Sequence, residues 1–148
     1  MKFPLGMFDG SDFTFNDVYL AHPMSAGVTN KHEIIFREVR RGIRRRGVSV
    51  IDPSEWELTL DPNREPVREA FSRNVVSIAG SRIFLAIITG PSIGLGGELV
   101  IARSMRKPVV SLVPEPDKFR PAWAVMLSDY RFNTVDAVLQ FVKAYIGL

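Results

Sequence analysis

The chain has 148 residues, the length of one domain, and its formal net charge is only +3. It contains no cysteine and only two histidines, His22 and His32, which excludes disulfides and a cysteine nucleophile and argues against a metal centre, so we expect neither metal nor cofactor. The modest charge argues against nucleic-acid binding, and the lack of a long apolar run argues against membrane insertion, so a cytoplasmic protein is expected.

Hydrophobic runs alternate with amphipathic ones along the chain, which predicts βα units. Residues 1–15 are expected to form an irregular segment, and residues 18–21 the first strand, followed by a loop over 22–29. Asn30 is expected to cap the first helix, because Glu33 stands in the capping-box position.

The middle of the chain continues this alternation. The first helix should end near Gly47, and the apolar run 48–51 predicts a second strand. Pro66 suits the first turn of another helix, which Gly80 should end. Residues 83–88 are apolar throughout, as expected for a central parallel strand covered on both faces.

The last third predicts a helix over 98–105, a strand over 108–113, a short helix over 123–127, an edge strand over 130–132 and a final helix capped by Asn133. The whole chain is therefore expected to be one α/β domain, doubly wound like the Rossmann and flavodoxin folds. Its mainly parallel sheet should have about five strands, with helices on both faces and ligands beyond the carboxyl ends of the strands.

A glycine-rich segment follows the central strand. Gly94, Gly96 and Gly97 are expected to let a ligand approach the backbone, and Ser92 adds a hydroxyl group. A strand, a glycine turn and a helix start present backbone N–H groups and a positive dipole end to an anion. The alternative is that these glycines only make a tight turn.

Glu98 is the first candidate catalytic residue. It is expected to open the helix after the glycines, where the helix dipole would lower the pKa of its carboxyl group and suit it to act as a nucleophile. The alternative is an acidic residue that merely complements the dipole.

The segment Pro91–Leu99 reads PSIGLGGEL and is followed by Ala102 and by KPVV at 107–110. It resembles the signature of the nucleoside 2-deoxyribosyltransferase superfamily, which includes the 2-deoxynucleoside monophosphate N-hydrolases. The resemblance implies that Glu98 attacks the anomeric carbon of a nucleoside or nucleotide and forms a glycosyl-enzyme intermediate. It also implies that Tyr19 orients Glu98.

The resemblance implies further roles. Ser92 matches a phosphate-contacting serine of the hydrolases, which favours a nucleotide, and the first loop offers His22, Ser25 and Gly27 as binding residues. Met126 lies in the segment that reaches the neighbouring subunit's site, which implies a homodimer or a higher homo-oligomer. As alternatives, His22 is an ordinary loop histidine and Met126 is a core residue.

Asn74 departs from the superfamily pattern. The carboxylate that serves the leaving base as acid or base is expected near this position, and asparagine cannot exchange a proton. Glu69 and Asp52 are possible substitutes.

We therefore expect cleavage or transfer at an N-glycosidic bond. The first alternative is a nucleotide-binding or sensing module that has lost catalysis, and the second is a phosphoribohydrolase of the cytokinin-activating type.

Overall fold

The computed structural model describes residues 15–24, 27–55 and 66–147, with the side chains of 66–69 excepted. Most of the expected N-terminal irregular segment, the candidate Ser25 and the side chain of Glu69 lie outside the described residues. No helix in the described ranges is long and apolar enough to cross a membrane.

Five parallel strands form one sheet in the order β2-β1-β3-β4-β5. Their bounds are β1 Asn16–Ala21, β2 Val50–Ile51, β3 Ser81–Ile87, β4 Val109–Leu112 and β5 Tyr130–Phe132. This arrangement confirms the predicted doubly wound α/β fold. Strands β1 and β3 are adjacent, with Tyr19 opposite Phe84, although β2 separates them in the chain.

Helices cover both faces of the sheet. Their bounds are α1 Asn30–Arg45, α2 Pro66–Ala79, α3 Ile93–Ser104, α4 Ala122–Met126 and α5 Val135–Gly147, and a 3-10 turn spans Pro53–Glu55. Helices α1 and α5 pack on one face through buried apolar side chains, and α2, α3 and α4 contribute to the core on the other. Tyr19 belongs to the second core, so its side chain faces α2 and α3.

Two helix caps differ by one residue from the prediction. Thr29, not Asn30, caps α1, since its Oγ1 accepts from the backbone N–H of His32 at 3.2 Å. The capping-box partner is His32, not Glu33. Thr134 accepts from the backbone N–H of Ala137 at 3.3 Å in the first turn of α5, a role predicted for the preceding asparagine. Each pair of neighbours contains two good capping residues, so composition alone does not choose between them.

Candidate active site

The candidate site lies where the order of the strands reverses. The chain runs from β1 outward to β2 and then crosses to β3 on the opposite side of β1, which leaves a crevice beyond the carboxyl ends of β1 and β3. His22 follows β1 directly, and residues 88–92 connect β3 to α3. The crevice is therefore bordered by the two segments that sequence analysis singled out.

Glu98 lies in the second turn of α3, not at its start. The helix begins at Ile93 and is capped by Ser92, whose Oγ accepts from the backbone N–H of Leu95 at 3.2 Å. The prediction that Glu98 opens the helix was therefore wrong. The five residues before it, 93–97, belong to α3 because Ser92 caps the helix and Leu95 is buried against the sheet.

The pKa of Glu98 also departs from the prediction. Burial of its carboxyl group raises this pKa to about 7, where the helix dipole was expected to lower it. Tyr19, the charge of His22 and a hydrogen bond from Asn74 favour the ionised form, but they do not overcome the loss of water. Glu98 is consequently poised between its neutral and ionised forms near neutral pH.

Asn74 of α2 and Tyr19 of β1 flank this carboxyl group. Asn74 Nδ2 donates to Glu98 Oε1 at 3.4 Å. Tyr19 is fully buried and stacks on Phe84 with ring centroids 5.5 Å apart. The structure therefore brings together the three residues predicted to be catalytic.

Two polar atoms of this cluster lack an ordinary hydrogen bond within the described part of the chain. They are the Tyr19 hydroxyl and Asn74 Oδ1, both buried. Burial, and then the nearby charge of Glu98, raises the pKa of Tyr19 well above its usual value. The hydroxyl thus remains a neutral donor that faces the Glu98 carboxylate from beyond the ordinary hydrogen-bond distance. Buried polar groups without partners are costly and indicate a place where a ligand or water completes the site.

His22 is buried beside this cluster and is not an ordinary loop histidine. Its Nε2 lies 3.0 Å from Asp52 Oδ1, its Nδ1 lies 3.1 Å from the carbonyl oxygen of Pro23, and its ring stacks on Phe36 with centroids 4.2 Å apart. Because both ring nitrogens face acceptors, the geometry favours the imidazolium ion. Burial lowers the pKa of His22, but the interaction with Asp52 outweighs this effect and the net shift is upward.

Asp52 holds this imidazolium. Besides His22, its carboxylate accepts from the backbone N–H and the hydroxyl of Ser54 at 2.9 and 2.6 Å and from Arg40 Nη1 at 2.8 Å. Burial raises the pKa of Asp52, but these hydrogen bonds and the charge of His22 lower it by a larger amount. The pKa of Asp52 therefore lies well below its usual range. Asp52 is therefore a fully engaged carboxylate rather than a replacement acid.

This charged network was not predicted from the sequence, although one signal was present. His22 directly follows β1 and Asp52 directly follows β2. Because β1 and β2 are parallel neighbours, residues beyond their carboxyl ends lie at the same edge of the sheet. Recognising the pairing of β1 with β2 would have predicted the contact.

The glycines of the predicted anion loop lie inside α3. A Cβ atom at Gly94 or Gly97 would meet no atom within 4 Å, whereas one at Gly96 would lie 2.8 Å from Trp123 Cη2. Gly96 therefore permits close packing of α4 on α3, and Gly94 and Gly97 leave open space beside the helix. Gly27, the candidate binding glycine of the first loop, has a φ of +102°, a conformation that favours glycine.

Two concavities lie near these residues, although neither is lined by Tyr19, Asn74 or Glu98. One, of about 500 Å³, is lined by residues that include His22, Arg37, Arg40 and Ser54. The other, of about 610 Å³, lies along the start of α3 and is lined by residues that include Ser92, Gly96, Gly97 and Trp123. Met126 is 82% exposed, so the alternative that places it in the core was wrong. Among the described residues, no group of three or more acidic residues or histidines could hold a metal ion.

The sequence matches no protein-family model and no curated protein. The fold does match solved structures. A 2-deoxyribosyltransferase from Bacillus psychrosaccharolyticus superposes with a TM-score of 0.71 and 19% identity over 83% of this chain and 90% of the other. The chain shares the fold of a 2-deoxyribosyltransferase.

Two further structures agree with this assignment of the fold. A conserved protein from Enterococcus faecalis V583 gives a TM-score of 0.64 at 16% identity, covering 89% of this chain and 99% of the other. A CMP N-glycosidase from Clostridium botulinum gives 0.57 at 17% identity, covering 87% and 98%. The fold implied by the glycine-rich segment is thereby confirmed.

Proposed function

We propose that the protein cleaves or transfers the N-glycosidic bond of a nucleoside or nucleoside 5′-monophosphate, with Glu98 as the nucleophile. The observation that carries this proposal is the partly buried Glu98 carboxyl group, which accepts a hydrogen bond from Asn74 and lies beside Tyr19 of β1. Two solved proteins of the same fold, the 2-deoxyribosyltransferase and the CMP N-glycosidase, act on bonds of this kind.

The chemistry follows from the position of the carboxyl group. An ionised Glu98 attacks the anomeric carbon, where a carboxylate stabilises positive charge in the transition state and then traps it as an ester. The Asn74 amide fixes one carboxylate oxygen at 3.4 Å, and the Tyr19 hydroxyl is the positioning donor next to it. Water or a second base then attacks the same carbon and releases Glu98.

The start of α3 supports a phosphorylated substrate. The hydroxyl of Ser92 and the N-terminal N–H groups of the helix are donors suited to a phosphate, and the open space at Gly94 leaves room for it. We therefore favour a nucleotide over a free nucleoside, in a homo-oligomer whose Met126 borders the neighbouring site.

The test is release of free base, measured by chromatography after incubation with nucleosides and nucleoside 5′-monophosphates. We expect the isosteric Glu98→Gln substitution to lower the rate by at least ~10³-fold, because an amide cannot serve as the nucleophile. Glu38→Gln, on the exposed side of α1, is the matched control and should leave the rate unchanged. Equal base release by Glu98→Gln and the unmodified protein would refute the role of Glu98.

A nucleotide-binding or sensing module is the second candidate function. It is favoured by Asn74, which stands beside Glu98 and cannot exchange a proton. Stabilisation by nucleotides in a thermal-shift assay, without base release, would support this function. Turnover would eliminate it.

A further inference from the structure

A departing base normally needs a proton. When the C1′–N bond of a neutral nucleoside breaks, the electron pair leaves on nitrogen, and an acid in the site usually neutralises the resulting anion. The groups around Glu98 therefore determine which bases can leave. Four side chains act on this carboxyl group within the described residues: Tyr19, His22, Asp52 and Asn74.

None of these four can supply the proton. Asn74 has no ionisable group, and the Tyr19 hydroxyl holds its proton more tightly than a free tyrosine does. Asp52 is ionised and accepts four hydrogen bonds.

His22 carries a proton on each nitrogen, but both N–H groups are engaged. One donates to Asp52 and the other to the carbonyl oxygen of Pro23. To protonate a base, His22 would have to break one of these buried hydrogen bonds. None of these four side chains is therefore an available acid, and the side chain of Glu69, the other candidate for this role, lies outside the described residues.

On the basis of the function proposed above, we propose that the substrate is an N-glycoside whose base already carries a positive charge. Pyridinium nucleotides and nucleotides of N7-alkylated purines belong to this class. Their bases depart as neutral molecules, so Asn74 is compatible with turnover of these substrates.

The reaction balances without an acid. Glu98 Oε forms a bond to C1′ while the C1′–N bond breaks, and its electron pair returns to the cationic ring. The carboxylate charge is consumed in the ester and the base leaves neutral. Water then adds to C1′, Glu98 departs as a carboxylate, and the proton of water passes to solvent. Each hydrolysis of a charged nucleotide therefore releases one proton to solvent. Hydrolysis of a neutral nucleotide releases no net proton, because the departing base takes one up.

The charges of the cluster suit such a base. A cation beside Glu98 favours the ionised form of this buried carboxyl group, which is the form that attacks. The charge of His22 is paired directly with Asp52 at 3.0 Å, so it opposes the incoming cation only weakly. Asn74 Oδ1, a buried acceptor without a partner in the described residues, complements an electron-poor ring.

The first experiment uses two pairs of nucleotides that differ in the charge of the base. They are 7-methylguanosine 5′-monophosphate with guanosine 5′-monophosphate, and nicotinamide mononucleotide with its reduced form. We expect kcat/KM to favour the charged member by at least ~10²-fold, the range contributed by a general acid. The rates on the two charged members show whether the protein prefers an alkylated purine or a pyridinium base. With nicotinamide mononucleotide, a pH indicator should report one proton per base released.

The outcomes separate the two proposals. Equal cleavage of both members of each pair would overturn the inference and leave the glycosidase function standing. No base release from any nucleoside or nucleotide by the folded protein would overturn the proposed function itself. Glu98→Gln gives the rate of spontaneous loss of the charged bases.

The second experiment supplies the missing acid. We expect Asn74→Asp to raise the rate on guanosine 5′-monophosphate by ~10²-fold relative to Asn74→Ser, with a rate that falls as the new carboxyl group ionises. The rate on 7-methylguanosine 5′-monophosphate should not increase in the same way, because its base departs without a proton. If Asn74→Asp cleaves the neutral nucleotide no faster than Asn74→Ser does, the lack of an acid is not the reason that this nucleotide is a poor substrate. The inference then fails.

Discussion

Glu98 illustrates the competition between two effects on one carboxyl group. A helix dipole stabilises an acidic residue by roughly 0.3–1 kcal/mol and only within the first turn. Burial raises the pKa of Glu98 from 4.5 to about 7, which corresponds to roughly 3 kcal/mol. Desolvation is therefore the larger effect, and Glu98, in the second turn, receives little from the dipole.

This pKa predicts how stability depends on pH. The folded-state pKa of about 7 exceeds the ordinary value of 4.5, so ionisation of Glu98 disfavours folding. Its contribution is favourable at low pH and is lost as pH rises from the ordinary value through 7. Glu98→Gln should therefore gain stability over the unmodified protein by up to ~3 kcal/mol between about pH 5 and about pH 8.5.

Urea denaturation at these two pH values measures the difference in the free energy of unfolding. Glu38→Gln, on the exposed side of α1, serves as the control and should track the unmodified protein. Stability curves for Glu98→Gln and the unmodified protein that stay parallel from low to high pH would show that Glu98 is not the group responsible.

The sequence predicted some residues of the site better than others. Glu98 was predicted from the PSIGLGGEL segment, and Tyr19 and Asn74 from the resemblance to the superfamily, and the structure brings the three candidates together. The contact between His22 and Asp52 was missed, since it joins residues thirty positions apart. Predicting this contact would have required knowing that β1 and β2 are neighbours in the sheet.

At the scale of elements, α3 shows why boundaries near glycine are difficult. Glycine in a helix interior costs about 1 kcal/mol relative to alanine, so Gly94, Gly96 and Gly97 were interpreted as a loop. The Ser92 cap and the burial of Leu95 outweigh that cost. The strands were easier to predict, because a parallel strand covered on both faces is apolar throughout and is recognised without an alternation of apolar and polar residues.

The glycines of α3 also yield a prediction. Gly94→Ala should stabilise the protein by up to ~1 kcal/mol, because alanine favours the helix and its methyl group enters open space. Gly96→Ala should instead destabilise it, because the new Cβ would lie 2.8 Å from Trp123 Cη2. Thermal unfolding followed by circular dichroism compares the two variants. Equal shifts in Tm would mean that Trp123 does not pack against Gly96.

At the scale of the whole molecule, the alternation of apolar and amphipathic runs was enough to predict the class of fold and the approximate number of strands. The order β2-β1-β3-β4-β5 was not predicted strand by strand, because it depends on pairings between distant segments. This order places β1, which carries Tyr19, next to β3, and it creates the crevice that His22 and residues 88–92 border. The proposed function therefore depends on a long-range property that local periodicity does not contain.

An apolar surface beside that crevice predicts self-association. Ile93 and Val100 of α3, with Trp123, line the concavity of about 610 Å³, and Ile93 is 98% exposed. Met126 lies exposed on the same helix as Trp123. Contiguous exposed apolar residues of this kind mark interaction sites. We expect a homodimer in sedimentation experiments that Ile93→Glu dissociates, whereas Ile34→Glu, on the exposed side of α1, should not.

Complementation tests whether the second subunit completes the site. Glu98→Gln lacks the nucleophile, and we expect Met126→Ala to lower activity by removing a side chain that borders the neighbouring subunit's site. In a heterodimer of the two variants, isolated through two different tags, one site has both an intact Glu98 and a partner with an intact Met126. Its activity should therefore exceed the mean of the two variant homodimers. Activity equal to that mean would show that Met126 acts only within its own subunit.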